Sequence, residues 1–365
     1  MKRPLEELRP FLIAANVRGT IDPMRMVVGD GIGKVGDLIL GTVLPEDGQA
    51  ICVLDQQRHA HEVTGPVKVL AVLGPRDSST HVCATVPSDG LPVASGTRLH
   101  WVAGESGIVG QLERDAPHAT VHRPESALPF LCEGLLLGLY NAPINIRAFG
   151  IEQIETRLTK PVIFVGATST EAGKTVLCGE IIRQLTEAGV RVAATKVTGT
   201  GGVRDSMYHL ECGAAAVLDS VDAGLISTHC NPDDFRAQIP HLFRSLSDRA
   251  VDVIVAELGG DLLSANNPVL LKLDEVVDNT QMLVVISNDA LGAAGVNAMN
   301  EAQFRFPASK IRHFTSPFRN HAGMRRRMAL AGVMECYDPR SPTDLQLIVE
   351  QIRHLAYRGG TRAEL

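Results

Sequence analysis

Gly173-Lys174-Thr175 is where residue type and spacing in this chain point most directly to chemistry. It follows a short β-branched run, Val162 to Val165, that ends in Gly166, and a loop of small residues, Ala167-Thr168-Ser169-Thr170-Glu171-Ala172. A helix-like stretch from Val176 to Ala188 comes next. Strand, loop and helix in that order aim backbone N–H groups and the positive end of a helix dipole at an anion. A lysine at the end of the loop reaches the outer phosphates of a nucleotide, and the hydroxyl after it binds Mg2+. Contacts to such a ligand are expected from Gly166, Thr168, Thr170, Glu171, Ala172, Gly173, Lys174, Thr175 and Val176. The common pattern has four residues between its first glycine and Gly-Lys-Thr. Here Thr168 stands at that position, and six residues separate Gly166 from Gly173. The strict pattern therefore fails, and a plain strand-to-helix turn is the alternative. The chain carries 8 lysines against 27 arginines, so a lysine at this place is not filler.

Three further strand ends carry polar groups. Arg191 to Thr195 leads into Lys196, followed by Val197-Thr198-Gly199-Thr200-Gly201-Gly202 and then Asp205 at the start of a helix. A loop rich in glycine and hydroxyls lets backbone approach an anionic ligand. Lys196 suits a substrate carboxylate or a transferring phosphoryl group, or is a surface lysine. Asp205 is a metal ligand or a helix cap. The run Val251 to Ala256 ends at Glu257, followed by Leu258-Gly259-Gly260-Asp261. A carboxylate there suits Mg2+, and the glycines allow a close backbone approach. Thr198, Gly199, Thr200, Gly259 and Gly260 are thus the substrate-side candidates, with Lys196, and Thr175, Asp205 and Glu257 the metal candidates. After Met282 to Ser287 come Asn288 and Asp289, which contact a base or make a turn. The Asn-Lys-x-Asp pattern that reads guanine is absent, which favours ATP over GTP. The pairs His59/His61 and His118/His122 lack a third ligand nearby in sequence and read as structural or exposed histidines.

These residues resemble dethiobiotin synthetase and its relatives among P-loop enzymes over roughly residues 161–300. That family's stretched loop ends in Thr-Glu-x-Gly-Lys-Thr, matched by Thr170 to Thr175. The resemblance implies that Lys196 holds the group being formed on the substrate and that Asp205 and Glu257 bind Mg2+. Leu291, Gly292 and Asn297 match a late segment of the same family. The family's early glycine falls at Ala167, its lysine is followed by proline where Val197 stands, and its glutamate block is one residue longer. A dethiobiotin synthetase also lacks a β domain of this size before the loop. The chain looks closer to N-terminally extended relatives, similar to the family known as domain of unknown function 1611, which share a Lys-x-Thr-Gly-Thr-Gly segment, here Lys196 to Gly201. Some members of the wider group act on amino acids, including N-acylation of D-glutamate.

The elements that must position these groups fall into two halves. Residues 1–124 read as a β-rich domain, with apolar runs at 37–44, 50–54, 67–73, 81–86 and 98–102 separated by Gly, Pro and Asp, as in a small barrel. Gly29 to Gly36 reads as turn chemistry, since no helix follows it. Residues 125–160 read as a Pro-punctuated connector, 161–358 as an α/β domain and 359–365 as a flexible tail. In the α/β part, strands are expected at 161–165, 190–195, 251–257, 282–287 and 311–315, and helices at 174–188, 205–218, 233–248, 296–304 and 343–357. The fold class is therefore α/β: a mostly parallel sheet of the P-loop NTPase kind with helices on both faces, its ligand at the carboxyl ends of the strands.

Composition narrows the function classes. A net charge of −6 supplies no basic field for nucleic acid, and Arg325-Arg326-Arg327 reads as a solvated helix face. Seven cysteines without a Cys-x-x-Cys pair fit a reducing cytosol rather than a disulfide framework or a zinc site. No apolar stretch of about 18 residues suggests a membrane span. A cytoplasmic homodimer or higher homo-oligomer acting on a small metabolite, with ATP and Mg2+ as cofactors, is the leading expectation. A ligase or synthetase and a small-molecule kinase need the same residues. A nucleotide-driven switch or metal chaperone, and an acyltransferase whose loop holds the phosphates of an acyl-CoA, stay open.

Overall fold

The computed structural model describes residues 2–46, 48–78, 82–103, 105–114, 127–304 and 306–360. The chain forms two compact units. The first comprises the N-terminal part through Ile151 together with Thr200–Val203 and Ser220–His229, and the second holds the rest. Among the described residues no helix is long and apolar enough to cross a membrane.

In the first unit five strands close into a ring: β1 (Leu38–Val43), β2 (Val67–Leu73), β3 (Arg98–Trp101), β4 (Ile108–Arg114) and β5 (Leu128–Leu137). β1 pairs antiparallel with β2 and β5, β3 pairs antiparallel with β4 and β5, and β4 closes the ring by a parallel pairing with β2. Closure leaves the ring no free edge. Alternate residues of the strands, among them Ile39, Val69, Ala71, Leu99, Trp101, Val109 and Phe130, share one core, while Leu38, Leu40, Leu70, Val72 and Ile108 pack into another. Burial on both faces explains why these strands read as continuous apolar runs rather than alternating ones.

The stretch expected to be a connector, 125–160, instead supplies β5, a ten-residue strand that pairs with both β1 and β3. Pro129, Glu133 and Gly134 hid it. Glu133 is neutralised by Lys68 at 2.8 Å and Arg3 at 3.2 Å, and the pairing register shifts between Cys132 and Gly134, a bulge that bends the strand. The 50–54 run forms a separate hairpin with Ala60–Val63. The 29–36 segment is part strand, since Gly31–Gly33 pairs with Leu91–Val93. His118 and His122 lie outside the described residues.

The second unit carries a six-stranded, wholly parallel sheet. Its strands are β6 (Val162–Ala167), β7 (Val192–Lys196), β8 (Ala216–Asp219), β9 (Val253–Glu257), β10 (Thr280–Ser287) and β11 (Ile311–Thr315). Their order across the sheet is β8-β7-β9-β6-β10-β11. The main helices are α1 (Lys174–Glu187), α2 (Val203–Glu211), α3 (Pro232–Ser247), α4 (Ala290–Met299), α5 (His321–Leu330) and α6 (Pro342–Gly360). Ile163 and Val165 of β6 share a core with Leu177, Ile181 and Leu185 of α1 and with Ile348 and Ile352 of α6. Phe164, the residue between them, meets Phe243 of α3 edge to face, the centroids 6.1 Å apart.

Two helices depart from expectation, and the one expected over 296–304 already begins at Ala290. The helix expected over 205–218 stops at Glu211; Gly213, at φ +101°, turns the chain, and Ala216–Asp219 becomes an edge strand. α5 is the helix expected to carry the run Arg325-Arg326-Arg327 on a solvated face. Asn320 caps it by accepting from the Gly323 N–H at 3.1 Å, and Arg325, Arg326 and Arg327 are exposed on it.

Phe164→Ala is expected to destabilise the second unit by about 3–5 kcal/mol through lost burial and a cavity. A urea titration followed by circular dichroism measures this; an unchanged midpoint would contradict the packing described.

Candidate active site

The loop between β6 and α1 runs from Thr168 to Gly173, and α1 begins at Lys174 itself. Neighbouring strands hold its first half. The Thr168 N–H donates to the Ile286 carbonyl at 3.0 Å, and the Asn288 side-chain amide donates to Ser169 Oγ at 2.5 Å. The second half turns through Glu171 at φ +57° and Gly173 at φ +99°; a Cβ on Gly173 would stand 2.7 Å from Pro317 Cγ. Glycine is thus required there by conformation and by space. Lys174 is only 6% exposed and arches back over the loop, its Nζ donating to the Ser169 carbonyl at 3.0 Å. Burial, with the positive charge of Lys196 acting the same way, pushes its pKa down to about 8. A buried cation short of counter-charge, beside a helix N-terminus, is suited to a polyphosphate.

At the next residue, Thr175, four of the sequence candidates meet. Thr175 Oγ1 lies 2.8 Å from Glu257 Oε1 and 3.2 Å from Asp205 Oδ1. Lys196 Nζ lies 2.5 Å from the same Glu257 oxygen and 2.9 Å from Asp205 Oδ2. These groups come from the start of α1, the end of β7, the first turn of α2 and the end of β9. β7 and β9 are neighbours, with Lys196 paired in register to Glu257, which brings two distant residues to adjacent strand ends. Glu257 is fully buried. Burial alone would raise its pKa; Lys196, then His209, outweigh burial and hold the carboxyl well below the usual range. Burial likewise opposes the charge on Lys196, but Asp205 and Glu257 raise its pKa above the ordinary lysine value. A hydroxyl and two carboxylates converging from three elements form the hard oxygen set that Mg2+ takes. The residues present fit that ion.

Other candidates have different surroundings. Gly166 is inside β6 rather than in the loop; a Cβ there would meet Leu262 Cδ2 at 2.8 Å, so packing explains this glycine, not a turn around a phosphate. Ala172 is buried and Val176 exposed. Thr198 is not a substrate-facing hydroxyl. It is buried, donates to Asn267 Oδ1 at 2.6 Å and accepts from the Gly259 N–H at 2.9 Å, so both roles are used internally. Asn267 in turn donates to the carbonyls of Gly259 and Asp261, at 2.8 and 2.7 Å. Gly259 serves this lattice: a Cβ on it would stand 2.3 Å from the Thr198 carbonyl oxygen. Gly199 and Gly260 take φ of +113° and +66° at the same two loops. Thr200 belongs to the first unit, where it bridges to Ser227. Asp289 caps α4, accepting from the Gly292 N–H at 2.7 Å, and Asn288 tethers the loop, so neither needs a base to explain it. Leu291 is exposed, and Asn297 Oδ1 accepts from His313 Nε2 at 3.0 Å. In the first unit His61 and His59 both lie against Asp55, at 2.8 and 3.5 Å.

Sequence reading missed two residues. Asn267 carries no local signal, since its role depends on three loops meeting. His209 did carry one: Asp205 and His209 are four apart, which puts both on one face of α2. Its Nε2 lies 3.1 Å from Glu257 Oε2, with both residues fully buried.

No protein-family model matches this chain, and no curated protein matches it. Among solved structures, a ParA family ATPase from Chlorobium tepidum aligns at a TM-score of 0.33 and 11% identity, over 54% of this chain and 91% of its own. The hydrogenase maturation factor HypB from Archaeoglobus fulgidus aligns at 0.30 and 13%, over 54% and 91%. The signal recognition particle receptor FtsY from Elizabethkingia anophelis, in complex with GDP, aligns at 0.33 and 13%, over 53% and 60%. At such scores these likenesses are coarse. The P-loop character of the second unit rests on its own strand–loop–helix geometry, with Lys174 and Thr175 opening α1 on a parallel sheet.

Proposed function

We propose that the second unit binds a nucleoside triphosphate with Mg2+ and uses it to activate a small metabolite bearing a carboxylate or amine by phosphoryl transfer. The observation that carries this reading is the contact of Thr175 Oγ1 with both Asp205 and Glu257, directly after a loop that Lys174 covers. A binder of anions alone has no use for two carboxylates there, one of them fully buried. The resemblance to dethiobiotin synthetase-like enzymes supports the same division of labour, and the missing guanine-reading motif makes ATP the first nucleotide to test.

In this reading Lys174 and the N–H groups from Ala172 to Thr175 hold the β- and γ-phosphates. Thr175, Asp205 and Glu257 hold Mg2+, which when bound offsets charge on the phosphates. Lys196 keeps a positive charge at the strand ends, where negative charge develops on the transferring group. A substrate oxygen attacks the γ-phosphorus, the bond from that phosphorus to the β–γ bridging oxygen breaks, and ADP leaves. A carboxylate or carbamate would thereby become an acyl or carbamoyl phosphate, which an amine opens with release of phosphate. Whether that second step follows separates a ligase from a kinase. Mass spectrometry of products formed from ATP, Mg2+ and pooled amino and carboxylic acids tests the reading: ADP formed only when a metabolite is present supports it, and release of free CoA from an acyl-CoA with no nucleotide turnover overturns it.

Two variants separate the lysines. Lys174→Ala is expected to weaken nucleotide binding by at least about 100-fold, as loss of a buried charge-assisted contact does, with an unchanged circular dichroism spectrum. Lys196→Ala is expected to keep nucleotide affinity within about tenfold while removing turnover that depends on the metabolite. Equal loss of nucleotide affinity in both would overturn the role given to Lys196.

The pKa of about 8 at Lys174 gives a signed pH dependence. A polyphosphate favours the protonated amine, so binding takes up a proton as pH rises through 8, and affinity falls above that value. Calorimetry in buffers of different ionisation heat measures the uptake; constant affinity from pH 7 to pH 10 would contradict it.

A further inference from the structure

We propose that His209 is a positioning residue that sets the metal preference of the site, by keeping Glu257 a one-oxygen ligand suited to Mg2+ rather than Ca2+. This rests on the Mg2+-nucleotide reading above and assigns a role to a residue that reading leaves unused.

The geometry divides the Glu257 carboxylate into two sides. Oε1 faces Thr175 Oγ1 at 2.8 Å and Lys196 Nζ at 2.5 Å, the side where the other metal candidates gather. Oε2 faces His209 Nε2 at 3.1 Å. An ionised carboxylate only accepts, so Nε2 carries the proton and donates it. Both residues are fully buried, so no bulk water competes for Oε2. α2 fixes the backbone from which His209 projects, and full burial leaves the ring no solvent to turn into. The same helix presents Asp205 one turn earlier, and Asp205 meets Thr175 and Lys196 at 3.2 and 2.9 Å. One helix therefore delivers a carboxylate to the metal side and an imidazole to the back of the opposing carboxylate.

Ca2+ takes six to eight oxygens and often uses a carboxylate through both of them, whereas Mg2+ demands octahedral geometry, keeps several waters and uses one or two carboxylates. A glutamate whose second oxygen is held by a buried N–H offers only the first. Cys178 stands close to the pair: ligand atoms of Cys178, His209 and Glu257 lie within 4.8 Å of one another. That set resembles a site for a softer metal, but His209 Nε2 is spent on Glu257, and burial pushes the Cys178 thiol well above its ordinary pKa, which disfavours the thiolate such a metal needs. The three are read as a packed support behind the oxygen cluster.

The experiment measures binding, not turnover. A non-hydrolysable ATP analogue is titrated by calorimetry at stepped Mg2+ or Ca2+ concentrations, with wild type, His209→Gln and His209→Phe. Wild type is expected to reach half-saturation at a Mg2+ concentration at least about tenfold below that for Ca2+. Glutamine keeps an N–H donor and is expected to hold the ratio within about twofold, while phenylalanine frees Oε2 and is expected to reduce it by about tenfold or more. A wild type that uses both ions equally overturns the proposal without any variant, as does a phenylalanine variant that binds with an unchanged ratio. If the phenylalanine variant does not fold, the wild-type ratio and the glutamine variant decide. Failure of wild type to bind the analogue with either ion is a different result: it removes the nucleotide reading itself.

Discussion

The buried carboxylate of Glu257 is the constraint around which the second unit is arranged. A lone ionised carboxylate without exposure is very costly, and removing one partner from a buried pair typically costs about 3–5 kcal/mol. Three partners meet that demand here, and each comes from a different element: Thr175 from α1, Lys196 from β7 and His209 from α2. The sheet order makes this possible. β9 lies between β6 and β7, so the helix after β6 and the loop and helix after β7 converge on the end of β9. The same charge that would be a liability in a plain core gives the strand ends an oxygen set suited to a divalent cation.

The loop at the end of β6 depends on support of the same kind. The strand beside it holds its start, through the Thr168 N–H on the Ile286 carbonyl, and Pro317 crowds its finish at Gly173. The Thr198–Asn267–Gly259 lattice does the equivalent for the two loops beside it, with hydrogen bonds of 2.6 to 2.9 Å that leave those side chains no part in binding. Polar residues at a site thus divide into those that face the ligand and those that keep the loops in place, and residue type does not distinguish them.

The first unit solves another problem. A parallel pairing of β4 with β2 closes four antiparallel pairings into a ring, and the strand that completes it, β5, carries Pro129, Glu133 and Gly134. Local patterning reads those residues as punctuation. Lys68 and Arg3 make Glu133 tolerable, and the bulge after Cys132 gives Gly134 a use. A strand of this kind is visible only once its partners are known, which is why the stretch looked like a connector.

The sequence by itself determined what its local physics could encode. Short runs of β-branched and other apolar residues marked β6, β9 and β10, and Gly173-Lys174-Thr175 after a strand marked a candidate anion site. The residues at the ends of β7 and β9, Lys196 and Glu257, were legible as candidates because a charge closing an apolar run is unusual. Tertiary structure decided the rest. It determined which oxygen of Glu257 faces Thr175 and which faces His209, that Thr198 is a strut and that Gly166 packs within β6. Those outcomes depend on contacts between residues tens of positions apart, such as the 48 positions separating His209 from Glu257. Propensity and spacing carry no record of such pairings, because they arise only when strand order brings the ends together.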